Sequence, residues 1–252
     1  MIEVLILSII QGITEFLPVS SSSHLIIVSK YLNFDNQSLS VDVSLHIGSF
    51  IAVVTYFRKD IFNFIKNKDL FFKIIISSIP VMLVGFLLIK FDLIDQLRNT
   101  KVIGWTTIIF GIFLYISDKC NLNKKIENDF TFKSAITIGI LQILSLIPGV
   151  SRSGITISAA RISKFNRYDS AKISFLLSIP TLAAVSLFGF RNLIISENAD
   201  FTTLNLISIS LSFIFSLITI KFFLNYIKNF NLSLFVIYRI ILGIFLLIIA
   251  YL

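Results

Sequence analysis

The chain is short of charge, cysteine and histidine, and each shortage narrows what it can be. Asp, Glu, Lys and Arg make up only 14% of its 252 residues, against about 25% in an ordinary soluble domain, while apolar residues reach 56%. A water-soluble globule is thereby excluded. The one cysteine, Cys120, cannot close an intramolecular disulfide and has no companions for a structural metal site. Histidine occurs only at positions 24 and 46. The net charge of +8 is scattered between apolar runs instead of being gathered on one face, which speaks against a nucleic-acid partner and for membrane topology.

What is present is a series of apolar runs. Stretches free of Asp, Glu, Lys and Arg cover residues 74–89, 102–117, 134–151, 173–190 and 201–220; 43–57 and 234–252 add two more candidates. A hydrocarbon core about 30 Å thick needs roughly 20 helical residues, fewer when terminal Lys and Arg snorkel to the interface. The N-terminal segment 1–30 has no basic leader region or small-residue cleavage site and is expected to stay. Its middle holds Glu15, Pro18, the serines 20–23 and His24, too polar for a plain crossing. Residues 134–163 behave alike: an apolar run reaching Ile147, then Pro148-Gly149-Val150-Ser151-Arg152-Ser153-Gly154. Broken backbone at membrane depth is tolerated only where protein or a water-filled cavity satisfies it. Both segments therefore read as re-entrant helix-loop-helix hairpins. The expected architecture is an all-α integral membrane protein with six transmembrane helices, near 41–57, 73–89, 102–118, 171–190, 204–225 and 234–251, plus the two hairpins.

A shift of 131 positions lays Gln11 on Gln142, Val19 on Val150, Ser20 on Ser151 and Ser22 on Ser153. The chain thus reads as one membrane domain, 1–252, made of two repeats, about 1–118 and 132–252. Three crossings between the hairpins would bring them in from opposite faces, an inverted-topology repeat. On that topology fifteen Lys and Arg, among them Lys66, fall on one face and five on the other. The first face is then cytoplasmic and both termini lie outside. Only Arg152 and Arg239 remain within membrane segments, where a charge usually has a role or a partner.

Chemistry gathers at the hairpin tips. Gln11 and Glu15, one helical turn apart, share a face. Ser20, Ser21 and then His24 follow the break at Pro18, so a hydroxyl nucleophile, an imidazole and a carboxylate come from one short segment. On the second hairpin Ser151, Arg152, Ser153 and Thr156 stand at the start of a half-helix, whose free N–H groups attract anions. An Arg fork flanked by hydroxyls matches phosphate oxygens.

At these residues the chain resembles the bacterial undecaprenyl-diphosphate phosphatases, also called bacitracin-resistance proteins. Gln11 to Glu15 running into Phe16-Leu17-Pro18-Val19-Ser20-Ser21-Ser22-Ser23-His24 is similar to one family motif, and residues 148–154 to its Pro-Gly-x-Ser-Arg-Ser-Gly motif. Asp42 to Gly48, Tyr56 to Asp60, Phe175 to Pro180 and Tyr238-Arg239-Ile240 extend the likeness over essentially the whole chain. The resemblance implies a bacterial inner-membrane, multi-pass enzyme that removes the terminal phosphate of a C55 polyprenyl diphosphate. Such activity recycles the lipid carrier for cell-wall polymers and accompanies bacitracin resistance. It implies a divalent cation, Mg2+ or Ca2+, with Glu15 as a candidate ligand. It marks Glu15, Ser21, His24 and Arg152 as catalytic, with Gln11, Ser20, Ser151 and Ser153 binding substrate around them, and Thr156 joins that set by its place near the start of the half-helix. Partners would be the lipid substrate and membrane lipids, and a homodimer is compatible with it. The family commonly has Glu where Gln11 stands, which weakens a two-carboxylate metal site. Ser22-Ser23 also replaces a commoner pair ending in glycine.

The attacking group stays open between Ser21, His24 and a metal-activated water with Glu15 as base. The other large class of membrane lipid phosphatases needs a second histidine shortly after its Ser-Arg pair, and none follows Arg152. The rival class is a secondary transporter or lipid flippase, since paired broken helices also build carriers. A carrier needs no nucleophile, which favours the enzyme. Other polar residues have plainer readings. Ser44, Ser77, Ser208, Ser210 and Ser212 are expected to bond back to the carbonyl one turn earlier. His46 reads as a core histidine, and Arg239 as a structural partner for a carbonyl or carboxylate.

Overall fold

A computed structural model describes residues 2–32, 39–64, 68–91, 93, 97–120, 123–195 and 203–252. Met1, Lys66 and the first two residues of the 201–220 run lie outside them. The helices in chain order are α1 Ile2–Thr14, α2 Ser21–Leu32, α3 Leu39–Tyr56, α4 Arg58–Phe64, α5 Lys68–Lys90 and α6 Thr100–Asp118. They continue with α7 Ile126–Asp129, α8 Phe132–Gln142, α9 Arg152–Ile162, α10 Arg167–Ile195, α11 Thr203–Asn229 and α12 Ser233–Tyr251. The described residues contain no strand, only an isolated bridge between Lys124 and Phe165. Five helices, α5, α6, α10, α11 and α12, are long and apolar enough to cross a membrane. They cover five of the six expected spans, and α3 covers the sixth. The protein is an all-α membrane protein.

Local chemistry sets several boundaries. Asn99, Thr131 and Ser151 cap α6, α8 and α9 by accepting from the backbone N–H of Lys101, Ser134 and Gly154. Asn166 does the same for α10, accepting from the N–H of Asp169 at 2.8 Å. The expected helix breaks fall where Pro18 and Pro148-Gly149 stand. Residues 15–20 form turns between α1 and α2. A short 3-10 turn, Ile143–Leu146, followed by non-helical residues separates α8 from α9.

Helices approach through small and hydroxylated residues, as expected where apolar burial gives no preference for protein over lipid. A Cβ on Gly48 of α3 would fall 2.4 Å from Ile209 O of α11. Along the same seam Ser212 donates to Leu45 O at 2.7 Å, and Ser49 bonds both Ser212 and Ser216 at 3.1 Å. Ser44, Ser77, Ser208 and Ser210 bond back one turn as expected. Ser212 does not, because the close passage of α3 offers it a carbonyl across the interface. Ser77 also donates to Ala135 O of α8 at 2.8 Å.

The packing partners repeat between the halves. α1 packs on α11 and its counterpart α8 packs on α5, while α3 meets α10 and α6 meets α12. At one end of the bundle buried Asp118 joins four elements. It accepts from Arg167 at 2.6 Å and from the backbone N–H of Leu232 at 3.0 Å, and Arg161 donates to its carbonyl at 3.0 Å. Arg161 donates further to Phe165 O and Cys120 O. The clasp fixes the far end of α9, and so the place from which Arg152 reaches out.

Candidate active site

The two breaks share one backbone device. Ser20 and Ser151, the residues immediately before α2 and α9, have φ of 74° and 69°. An L-residue in that left-handed region is strained by roughly 1–3 kcal/mol, a cost tolerated where the surroundings over-determine it. Their hydroxyls also behave alike: Ser20 Oγ lies 3.4 Å from Ser22 Oγ, and Ser151 Oγ lies 3.2 Å from Ser153 Oγ. Gly149, at φ 94°, backs onto α6 so closely that a Cβ would meet Thr106 Oγ1 at 2.0 Å. Thr106 donates to Pro148 O at 2.6 Å. The second tip is thereby held against α6.

The tips meet. Arg152 Nη2 is 2.8 Å from Glu15 Oε1, with the carboxylate 7% and the guanidinium side chain 13% exposed. Arg152 also donates to Ser174 O at 3.2 Å. Ser153 donates to Leu17 O of the first tip at 2.7 Å. Arg239, wholly buried, donates to Pro18 O at 3.3 Å, Val150 O at 3.1 Å, Gly149 O at 2.8 Å and Thr107 O at 3.2 Å. It ties both tips and α6 together through carbonyls, the structural role its sequence position suggests.

Around Glu15 the bonds are specific. Ser21 Oγ donates to Oε2 at 2.7 Å, and Gln11 Nε2 donates to the same oxygen at 3.1 Å. Gln11 Nε2 also lies 3.1 Å from His46 Nδ1. Since that amide nitrogen can only donate, His46 Nδ1 accepts, and the imidazole steadies the residue that steadies Glu15. Gln11 Oε1 is buried and unpartnered. His46 is therefore a site neighbour that sequence reasoning treated as core. Its isolation among apolar residues hid a partner 35 positions away.

His24 is placed differently from the simple expectation. Its Nδ1 is 2.7 Å from Ser20 O and its Nε2 is 2.5 Å from Tyr238 Oη. Among the described residues it shares no hydrogen bond with Ser21, whose proton points at Glu15. The other expected substrate-binding hydroxyls are engaged by protein. Ser20 bonds Ser22 and Ser23, Ser151 caps α9, and Ser153 bridges the tips. Thr156 bonds Arg152 O at 2.8 Å and Ser174 Oγ at 2.7 Å. Glu15, Ser21, Arg152 and Gln11 are brought together as one cluster, with His24 beside it.

Fold and site together define a class: an all-α membrane protein whose polar centre is assembled from two interrupted helices, one from each half of the chain. The family described as bacitracin resistance protein BacA matches residues 4–245, and the chain belongs to it. It is 52% identical over 251 residues to a protein of Pelagibacter ubique (strain HTCC1062) named undecaprenyl-diphosphatase, covering 99% of this chain and 98% of that one. Proteins of the same name from Teredinibacter turnerae and Jannaschia sp. (strain CCS1) are 41% and 38% identical, each covering 98% of this chain and 98% and 97% of their own.

Proposed function

We propose that the protein is an undecaprenyl-diphosphate phosphatase, hydrolysing the terminal phosphoanhydride of the C55 lipid so that the monophosphate returns to service as a carrier for cell-wall synthesis. The observation that carries this is Glu15, bonded at once to a hydroxyl nucleophile, Ser21, and to a phosphate-binding fork, Arg152. In this reading Ser21 Oγ attacks the terminal phosphorus as its proton passes to Glu15 Oε2. The bond from that phosphorus to the bridging oxygen breaks, and the lipid monophosphate leaves with the bonding pair. Arg152 turns from Glu15 toward the equatorial oxygens, and the start of α9 adds its N–H groups. Water then attacks the phosphoserine; as the bond from phosphorus to Ser21 Oγ breaks, that oxygen takes back the proton held by Glu15, and the protons of the water leave on the released phosphate. A carrier would need ligand contacts but no hydroxyl bonded to a carboxylate base.

The residues fit a divalent cation as a companion of the substrate. Among the described residues no three of His, Cys, Asp or Glu converge on a metal site. The unpartnered Gln11 Oε1 and, once Arg152 has turned to the phosphate, Glu15 Oε1 would hold the cation together with the substrate. When bound there, Mg2+ or Ca2+ supplies positive charge to the phosphate oxygens. The topology that goes with this reading has six crossings, hairpin tips from opposite faces and both termini outside the bacterial inner membrane. The matching positive φ of Ser20 and Ser151 and the mirrored packing of α1 on α11 and α8 on α5 support the inverted repeat. Purified protein in detergent should release phosphate from C55 diphosphate with no membrane gradient. Binding without release would return the transporter reading.

A further inference from the structure

Helix α12 supplies two consecutive residues to the site. Arg239 runs inward to the carbonyls of both tips, while Tyr238 reaches His24 on α2. The phenol and imidazole rings lie nearly parallel, 9° apart with centroids at 5.7 Å. The hydrogen assignment follows from the partners. Ser20 O can only accept, so His24 Nδ1 carries a proton, and in the neutral ring Nε2 is then the bare nitrogen. A hydroxyl 2.5 Å from a bare nitrogen must donate to it.

We infer that Tyr238 is a positioning residue for His24. It holds the imidazole as the Nδ1–H tautomer by donating to the Nε2 lone pair. The hydroxyl suits both states of the ring, donating to neutral Nε2 and accepting from Nε2–H once a proton has arrived. Held by Ser20 O at one nitrogen and by Tyr238 at the other, His24 therefore keeps its orientation through a proton cycle. The stacking supplies the plane and the hydroxyl supplies the tautomer. Where α2 packs on α1 and, through Leu25, against Val41 and Leu45 of α3, this bond joins the first hairpin to the C-terminal helix across 214 positions of sequence. The inference rests on the phosphatase reading only for its rate effects; the tautomer is a property of the resting protein.

Tyr238→Phe keeps the ring and removes the hydroxyl. The test combines phosphate-release kinetics with nitrogen NMR of 15N-histidine-labelled protein, in which the two histidines are assigned with a His46→Asn sample. The wild type should show His24 protonated at Nδ1 and bare at Nε2. In Tyr238→Phe the Nε2 resonance should move, and kcat should fall about two- to thirteenfold at unchanged KM, the loss of one hydrogen bond. Wild-type turnover with unmoved His24 signals would overturn the inference. So would a raised KM with unmoved signals, since Tyr238 would then act on substrate and not through His24. A wild-type His24 protonated at Nε2 would overturn it whatever the activity. Wild-type protein that releases no phosphate at all would instead sink the phosphatase reading.

Discussion

Arg152 and Glu15 stand 137 positions apart in the chain and 2.8 Å apart in the fold. Their ion pair is where the two halves of the molecule become one site. Charges this buried are costly unless hydrogen bonds complete the pair. Ser21, Gln11 and Ser174 do so here. In the proposed reaction an incoming phosphate takes Arg152 and leaves Glu15 free to accept a proton.

Arg152→Lys should therefore nearly abolish turnover. An ammonium cannot hold Glu15 and Ser174 O together, nor fork two oxygens of one phosphate. The loss should be ten-fold or more in phosphate release. More than about a third of the wild-type rate would remove Arg152 from the phosphate site.

The two serines at the first tip should differ in kind. Ser21→Ala removes the attacking oxygen and should lower kcat by several orders of magnitude with binding nearly intact. The Ser20 hydroxyl bonds those of Ser22 and Ser23, and Ser20→Ala should cost about two- to thirteenfold. Equal and mild losses would shift the attack to His24 or to water.

Gln11→Glu adds a second carboxylate one turn from Glu15. If a divalent cation sits there with the substrate, the concentration giving half-maximal activity should fall severalfold in a Mg2+ titration of chelator-treated protein. An unchanged titration curve would move the cation away from Gln11.

Arg239→Met should weaken the fold as well as the reaction. It strips donors from carbonyls of residues 18, 107, 149 and 150, each worth roughly 1–3 kcal/mol when left buried and unpaired. Thermal unfolding in detergent should drop by at least about 5 °C. An unchanged midpoint would mean the tips hold together without it.

For topology, single cysteines at Asn63 and Asn123 on a Cys120→Ser background should label from one side of the membrane, and a cysteine at Asn99 from the other. All three labelling from the same side would break the opposed hairpins.

Much of the fold was legible because each crossing leaves an apolar run of fixed length, and Pro18 and Pro148-Gly149 mark the breaks. The tip residues Glu15, Ser21 and Arg152 stood out because charge and clustered hydroxyls are rare in such a chain. What was not legible is tertiary. Tyr238 sits in an apolar helix with no polar neighbour except Arg239, so nothing local announced its bond to His24. His46 was hidden likewise, and Ser212 looked like any serine that bonds its own helix. The positive φ of Ser20 and Ser151 leaves no signature where glycine is absent. Of the hydroxyl, imidazole and carboxylate that one short segment supplies, Ser21 pairs with Glu15 and not with His24, because the turn after α1 folds Glu15 back over the start of α2.

The central claim is that both tips act on one phosphate, and a double-mutant cycle across them tests it most directly. Phosphate release by Ser21→Ala, Arg152→Ala and the double variant should show strong non-additivity, the double variant being little slower than the worse single one, as for residues that work as a unit. Losses that simply multiply would mean the two residues act independently, and the shared site would be contradicted.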